Sequence, residues 1–318
     1  MNQHSPLRSA SLIERAAELY GFGAPPPVAA PAPRPEPEIV ARPKPEAPAE
    51  VRREPEARPN LEARREPAAR PEPKPRQRLA RIDRARLRES GLIEPDAPAG
   101  ALAEELRIVK RQLLLNVRSA TDLPEARRRT ILLCSAHPDE GKTFCALNLA
   151  LSLAGERDTE VLLVDADFPK PEIPARLGIQ AERGLVDALA DPSLDPEALV
   201  VATDLRGLSI LPAGKRVDNV TELLASRRTR EVLERLAADP RRIILFDSPP
   251  ALAASPASVL AALAGQLLMV VRADRTKEGD LAEAIDLLSA CERVSLVLNG
   301  AGLSAGGRRF GAYYGYGT

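Results

Sequence analysis

Apolar and polar positions alternate in two different ways along this chain. From Ala101 onward, short apolar runs rich in Val, Ile and Leu are interleaved with stretches whose apolar residues recur at helical spacing. Leu102, Leu106, Val109, Leu113 and Val117 predict a helix over 101–117, in a stretch of strong helix formers. Strands are predicted at 131–134, 161–164, 208–211, 243–246, 267–271 and 294–298. Helices are predicted at 142–154, 221–238, near 255–264 and at 279–290. Continuous apolar strands alternating with helices imply a mostly parallel sheet covered on both faces, so the expected fold is α/β. One domain of about 200 residues is a normal size.

The first part of the chain follows another pattern. More than half of its 31 prolines precede residue 80, and 24–78 repeats Pro, Ala, Glu and Arg with few large apolar residues. Such a segment buries too little surface to offset its ordering entropy and is expected to be disordered, partly polyproline II. A docking site for a Pro-binding domain is the functional alternative. Before it, Ser11 and Glu14 form a capping box, Gly21 is a helix stop, and Leu12, Ile13, Ala16, Leu19 and Tyr20 make a small apolar face. A helix this short is marginal alone, so it either folds on a partner or docks on its own domain. The stretch 70–88 carries eight Lys or Arg against Glu72 and Asp83. Its plain reading is a solvated lead-in, with contact to anionic lipid or acidic protein as the alternative. The expected organisation is a short helix (1–22), a linker (23–80), a lead-in and helix (81–120), an α/β domain (121–300) and a tail (301–318).

Charge and cysteine content exclude several function classes. Formal net charge is zero, so no global field attracts nucleic acid. The three cysteines are far apart without metal-ligand spacing, which suits a reducing cytoplasm. No signal peptide is seen. The most apolar stretch, 258–271, is interrupted by Gly265 and Gln266 and falls short of a membrane span.

Strand 131–134 runs into Ser135-Ala136-His137-Pro138-Asp139-Glu140-Gly141-Lys142-Thr143-Phe144 and then a helix. This is a phosphate-binding loop with Ala136 in place of its first glycine. Its backbone N–H groups and the helix N-terminus cradle phosphates, Lys142 reaches the β and γ phosphates, and the Thr143 hydroxyl meets Mg²⁺. Two more strands end in acids, at Asp165-Ala166-Asp167 and at Asp247. Carboxyl ends of parallel strands share one edge, so these acids are expected beside the loop, where oxygen ligands suit a hydrated Mg²⁺. The predicted metal ligands are Thr143, Asp167 and Asp247, and the predicted cofactors are ATP and Mg²⁺.

The segments SAHPDEGKT, VLLVDADFPKP and IILFDSPPAL resemble the Walker A, A′ and B motifs of bacterial tyrosine kinases, most of all the soluble autokinases linked to exosortase exopolysaccharide systems. The likeness extends to SLIERAAELYG and to RIDRARLRESGLIEPD and LAEELRIVKRQLLLN, that is, to nearly everything but the Pro-rich linker. It implies a P-loop fold, ATP:protein-tyrosine phosphotransferase activity, and a ring-forming contact by Glu104, Arg107 and Lys110, with Lys in place of the usual last Arg. It also implies a membrane protein of the polysaccharide chain-length-determinant type as activator, other polysaccharide biosynthesis proteins as substrates, and a place at the inner membrane through that partner. Asn299 is the expected adenine-side residue. Two departures stand out: Asp139 occupies a usual Gly position in the loop and weakens binding unless it points outward, and Pro169 replaces a frequent Arg.

Three of the four tyrosines, Tyr313, Tyr314 and Tyr316, lie within the last six residues, separated by glycines. An exposed, flexible tail of this kind has no core role for aromatics, and their clustering suggests phosphoacceptors. Lys142, Asp165 and Asp167 are the expected catalytic residues, with one of the two aspartates receiving the phenol proton. Neither an HRD nor a DFG signature of eukaryotic kinases is present. A partitioning-type ATPase and a non-catalytic nucleotide-binding scaffold are the competing classes. The absent signature Lys early in the loop and the tyrosine tail weigh against the first, while Asp139 favours the second.

Overall fold

In the computed structural model, residues 79–95 and 100–301 are described, all within the second of two units into which the chain divides, 71–318. The expected helix at 11–20, the Pro-rich linker and the tyrosine tail lie outside the described residues.

Seven strands form one sheet: β1 (Thr130–Ser135), β2 (Glu160–Asp165), β3 (Val201–Ala202), β4 (Leu208–Leu211), β5 (Arg242–Asp247), β6 (Gln266–Arg272) and β7 (Val294–Asn299). Their order is β3-β4-β2-β5-β1-β6-β7, and every neighbouring pair is parallel except β3 and β4. The fold is therefore the expected α/β P-loop architecture with a mostly parallel sheet. Because β2 lies two places to one side of β1 and β6 is next to it on the other, the order reverses at β1. Such a switch point opens a crevice at the strands' carboxyl ends.

Strand pleating sends alternate residues to opposite faces. Ile131, Leu133, Val161, Leu163, Ile243 and Leu245 belong to one core layer, and Leu132, Cys134, Leu162, Val164, Ile244 and Phe246 to the other. The first layer is covered by the helices Ala101–Ser119 and Lys142–Ala154. Gln266 fixes the longer of these to the sheet: its amide donates to the Leu113 carbonyl at 3.2 Å and accepts from Asn116 at 3.1 Å. The second layer is covered by Leu185–Ala190, Val220–Ala225, Arg227–Leu236, Pro256–Leu263 and Glu278–Leu287.

Two expectations are corrected. The lead-in at 70–88 is not solvated throughout its described part, 79–88. Ile82, Leu87 and Leu92 are buried against the first layer, while the helix Arg84–Glu89 turns its arginines outward. Asp83 caps that helix by accepting from the Ala85 and Arg86 N–H groups. The basic composition hid three apolar anchors on one face. The expected helix at 221–238 is two helices, parted at Ser226, whose ψ of 161° is extended. There the Thr229 hydroxyl donates to the Leu223 carbonyl, satisfying the end of the first helix.

The two borders of the sheet differ. Beyond β3, Ala80 forms a parallel bridge with Thr203, donating to Ala202 O at 2.8 Å and accepting from Asp204 N at 2.9 Å. At the other border, among the described residues, β7 has no strand partner outside β6, and Leu296 and Leu298 are exposed on it. Among the described residues, no helix is long and apolar enough to cross a membrane.

Candidate nucleotide site

The loop 136–141 joins β1 to the helix Lys142–Ala154 at the switch point. Two of its residues are left-handed, Asp139 at φ 61° and Gly141 at φ 95°. Glycine takes this conformation freely, and Asp is one of the few other residues that tolerates it. This explains how Asp139 stands in a usual glycine position. Its carboxylate is exposed at the rim of the site, 3.7 Å from the Lys170 ammonium, which offsets part of its charge.

Beside the loop lies a cavity of about 370 Å³, bordered by Lys142, Thr143, Phe144, Asp167, Pro169 and Lys170 among others. Lys142 is the first residue of its helix and is almost buried; its Nζ donates to Asp167 Oδ2 at 2.6 Å. Thr143 bonds through its side chain to Asp247, which faces Asp165 across the β5–β2 register. Asp165 accepts the Ile173 N–H on Oδ2 at 3.0 Å. The other oxygens of both carboxylates, Asp165 Oδ1 and Asp247 Oδ1, are buried without a hydrogen-bond partner.

These two acids are electrostatically frustrated. Burial, then the Asp247 charge, pushes Asp165 up to about 7. Burial likewise raises Asp247 to about 7, although Lys142 and the Thr143 hydrogen bond pull in the opposite direction. Unpartnered buried carboxylate oxygens facing one another fit a cation that the fold expects to receive. Among the described residues, however, no three His, Cys, Asp or Glu side chains stand ready as a metal cage. The donor set fits Mg²⁺ carried in with phosphates and waters, since that ion keeps much of its hydration shell.

The other residues singled out from the sequence fall in three groups. Pro138, Asp139 and Gly141 border the cavity with those above, whereas Ala136, His137 and Glu140 do not. Ala136 is fully buried, and the ring of His137 contacts Asp280 at 2.9 Å. Asn299 is turned onto the loop: its amide donates to Glu140 O at 2.9 Å and braces it. On the helix Ala101–Ser119, Glu104 and Arg107 pair with each other. Lys110 is directed inward, donating to Ser152 O at 3.0 Å and pairing with Glu156 at 2.7 Å. That charge is spent inside its own chain. Tyr313, Tyr314 and Tyr316 lie outside the described residues.

Sequence reasoning missed Lys170, Glu172 and Arg176, which also border the cavity. Glu172 and Arg176 are bonded at 2.6 Å, and their i,i+4 spacing was the available signal. It also missed Arg216, which reaches across to Pro169 O at 2.9 Å and so brings a guanidinium to the loop where Pro169 stands.

No family model matches the chain. It is similar to the tyrosine-protein kinase YwqD of Bacillus subtilis (strain 168), 28% identical over 226 residues, covering 70% of this chain and 92% of YwqD. It is 34% identical over 197 residues to the putative tyrosine-protein kinase EpsB of Ralstonia nicotianae, covering 61% of this chain but only 24% of EpsB. Among solved structures, the VpsO kinase domain matches with a TM-score of 0.50 at 31% identity, covering 61% of this chain and 98% of that one. The kinase domain of the Escherichia coli tyrosine kinase ETK matches in fold with a TM-score of 0.55 at 23% identity, covering 71% of this chain and 92% of that one.

Proposed function

The chain belongs to the bacterial tyrosine-protein kinase family, and on that premise we propose that it is an ATP-dependent tyrosine autokinase whose acceptors are Tyr313, Tyr314 and Tyr316. The observation that carries the reading is the floor of the cavity. There the Lys142 ammonium rests on Asp167 in front of two buried acids with open oxygens.

When ATP enters, Lys142 exchanges Asp167 for the β and γ phosphate oxygens, and the loop's N–H groups hold the phosphates in line. Mg²⁺ bound with the nucleotide would neutralise phosphate charge, and Thr143 and Asp247 would hold it directly or through water. Of Asp165, Asp167 and Asp247, Asp167 alone borders the cavity. We therefore assign the phenol proton to Asp167, with Asp165 behind it setting its charge environment. The tyrosine oxygen bonds to Pγ, the bond from Pγ to the β,γ-bridging oxygen breaks, the phenol proton passes to the carboxylate, and ADP leaves. Catalysis is mainly positioning and electrostatics.

The resemblance in sequence further supports a role in exopolysaccharide polymerisation or export in an exosortase-linked system. It also supports a ring of subunits contacting through the Glu104 and Arg107 face, and activation by a membrane chain-length-determinant protein. With Lys110 turned inward, the paired Glu104 and Arg107 are the charges of that pattern left at the surface to serve the contact.

The test is mass-spectrometric mapping of phosphotyrosine after incubating the purified full chain with Mg-ATP. Label is expected on the three tail tyrosines and is expected to vanish in Lys142→Met. Mixing Lys142→Met with a chain whose three tail tyrosines are Phe reports on transfer between chains. Label confined to Tyr20, or none at all on folded wild-type protein, defeats the reading.

A further inference from the structure

Glu140 is an acid in a loop built to receive phosphates, and it is only 4% exposed. A buried negative charge next to an anion site costs binding energy unless its location is otherwise useful. Its carboxylate is turned away from the cavity. Oε2 accepts the His137 N–H of the same loop at 2.9 Å, and Oε1 accepts the hydroxyl of Thr276, in the turn between β6 and the next helix. The direction of the second bond is fixed by chemistry. The Thr276 oxygen already accepts the Arg272 N–H at 2.8 Å, so its one proton goes to Glu140. The Glu140 carbonyl is held as well, by the Asn299 amide at the end of β7. A Cβ added at the next residue, Gly141, would lie 2.0 Å from Asn299 Nδ2. The fit between loop and strand end is therefore close.

We infer that Glu140 is a positioning residue for the nucleotide site, fastening the phosphate-binding loop to Thr276 and Asn299. This rests on the nucleotide reading above and goes further by assigning Glu140, Thr276 and Asn299 a joint task. Thr276 and Asn299 are separated from Glu140 by 136 and 159 residues, so the loop's shape is set by the far end of the domain. The fastening holds the N–H groups of the loop aimed at the phosphates before any ligand arrives, which is the condition for tight anion binding.

The experiment measures the dissociation constant of Mg-ADP by calorimetry, and the KM and kcat of autophosphorylation, on the full chain. Thr276→Val keeps the shape but removes the donor, leaving a buried carboxylate oxygen unpaired. Binding is expected to weaken about 10-fold, with KM rising in step and kcat within about 3-fold. Thr276→Ser restores the donor and is expected to bind within about 2-fold of wild type. Glu140→Ala removes the acceptor of both the Thr276 hydroxyl and the His137 N–H and is expected to weaken binding at least as much as Thr276→Val. Adding Thr276→Val to it is expected to change little, because the Thr276 link is already gone. A folded Thr276→Val protein that binds Mg-ADP like wild type overturns the inference, as does a Thr276→Ser protein as weak as Thr276→Val. Wild-type protein that binds no Mg-ADP removes the nucleotide reading itself, and this inference with it.

Discussion

Replacing Asp165 with Asn should make the nucleotide-free protein more stable while removing its activity. Asp165 is fully buried, one oxygen has no partner, and Asp247 stands opposite it on the next strand. Asn keeps an oxygen for the Ile173 N–H and turns an amide donor toward the place where the lone oxygen was. Raising a carboxyl from 3.8 to about 7 corresponds to a ceiling of about 4 kcal/mol against the charged form. Because Asp247 shares the same frustration, relief at one position is expected to give on the order of 2–4 kcal/mol, or about 4–16 °C in Tm for a domain of this size. The sign follows from linkage. The folded state binds the proton more tightly than the unfolded chain, so wild-type stability falls as pH rises from the unfolded value of 3.8 through about 7. The advantage of Asp165→Asn should therefore be complete at pH 8, less than half as large at pH 5, and absent near pH 4. Differential scanning calorimetry of both proteins without nucleotide, at the three pH values, reads this directly. An advantage independent of pH, or a variant less stable than wild type at pH 8, refutes the reasoning.

Three other outcomes follow. Lys142→Met is expected to abolish phosphorylation while leaving a cooperative thermal transition at lower temperature, since it removes charge at the loop and leaves Asp167 without its partner; full activity in the folded variant counts against the site. Lys110→Met should cost about 1 kcal/mol by urea unfolding, because one partly buried hydrogen bond and one half-exposed ion pair are lost; light scattering across ATP concentrations should show unchanged assembly, and a shift to monomer would place Lys110 at a subunit contact. Arg129→Met should cost about 3 kcal/mol by the same measurement, for the Arg129 guanidinium serves the carbonyls of Glu125, Ala237, Asp239 and Arg242, all of which would lose a donor; a loss under 1 kcal/mol refutes that role.

Much of this architecture is legible in the chain because it is local. The strand cores were identifiable as unbroken apolar runs, and the helix Lys142–Ala154 begins where a glycine precedes it and ends at another. Meeting of Lys142, Thr143 and Asp167 at one cavity follows from parallel strands sharing an edge, which needs no contact prediction. What was missed depends on partners far away in sequence. The helix Arg84–Glu89 looks like a charged run until its Leu87 finds the sheet. The antiparallel β3 has two residues, too few to carry a periodicity. Asn299 was identified as important by its place at a strand end, yet its amide is directed by the loop it meets rather than by its own neighbourhood. Lys110 belongs to a charge pattern visible in sequence, but only the docking of its helix decides that it faces Ser152 and Glu156.

The unequal borders of the sheet restrict how copies of this chain can join through their backbones. Head-to-tail addition, in which β7 of one molecule pairs with β3 of the next, repeats without end and builds a fibre. Ala80 already occupies the outer side of that border at Thr203, taking the donor and acceptor that an incoming strand would need. Among the described residues, only the β7 edge is left uncovered, with Leu296 and Leu298 on it. An arrangement that uses a single kind of edge must be two-fold and antiparallel, and it stops at two. A residue from the lead-in thus caps that border, which disfavours head-to-tail growth.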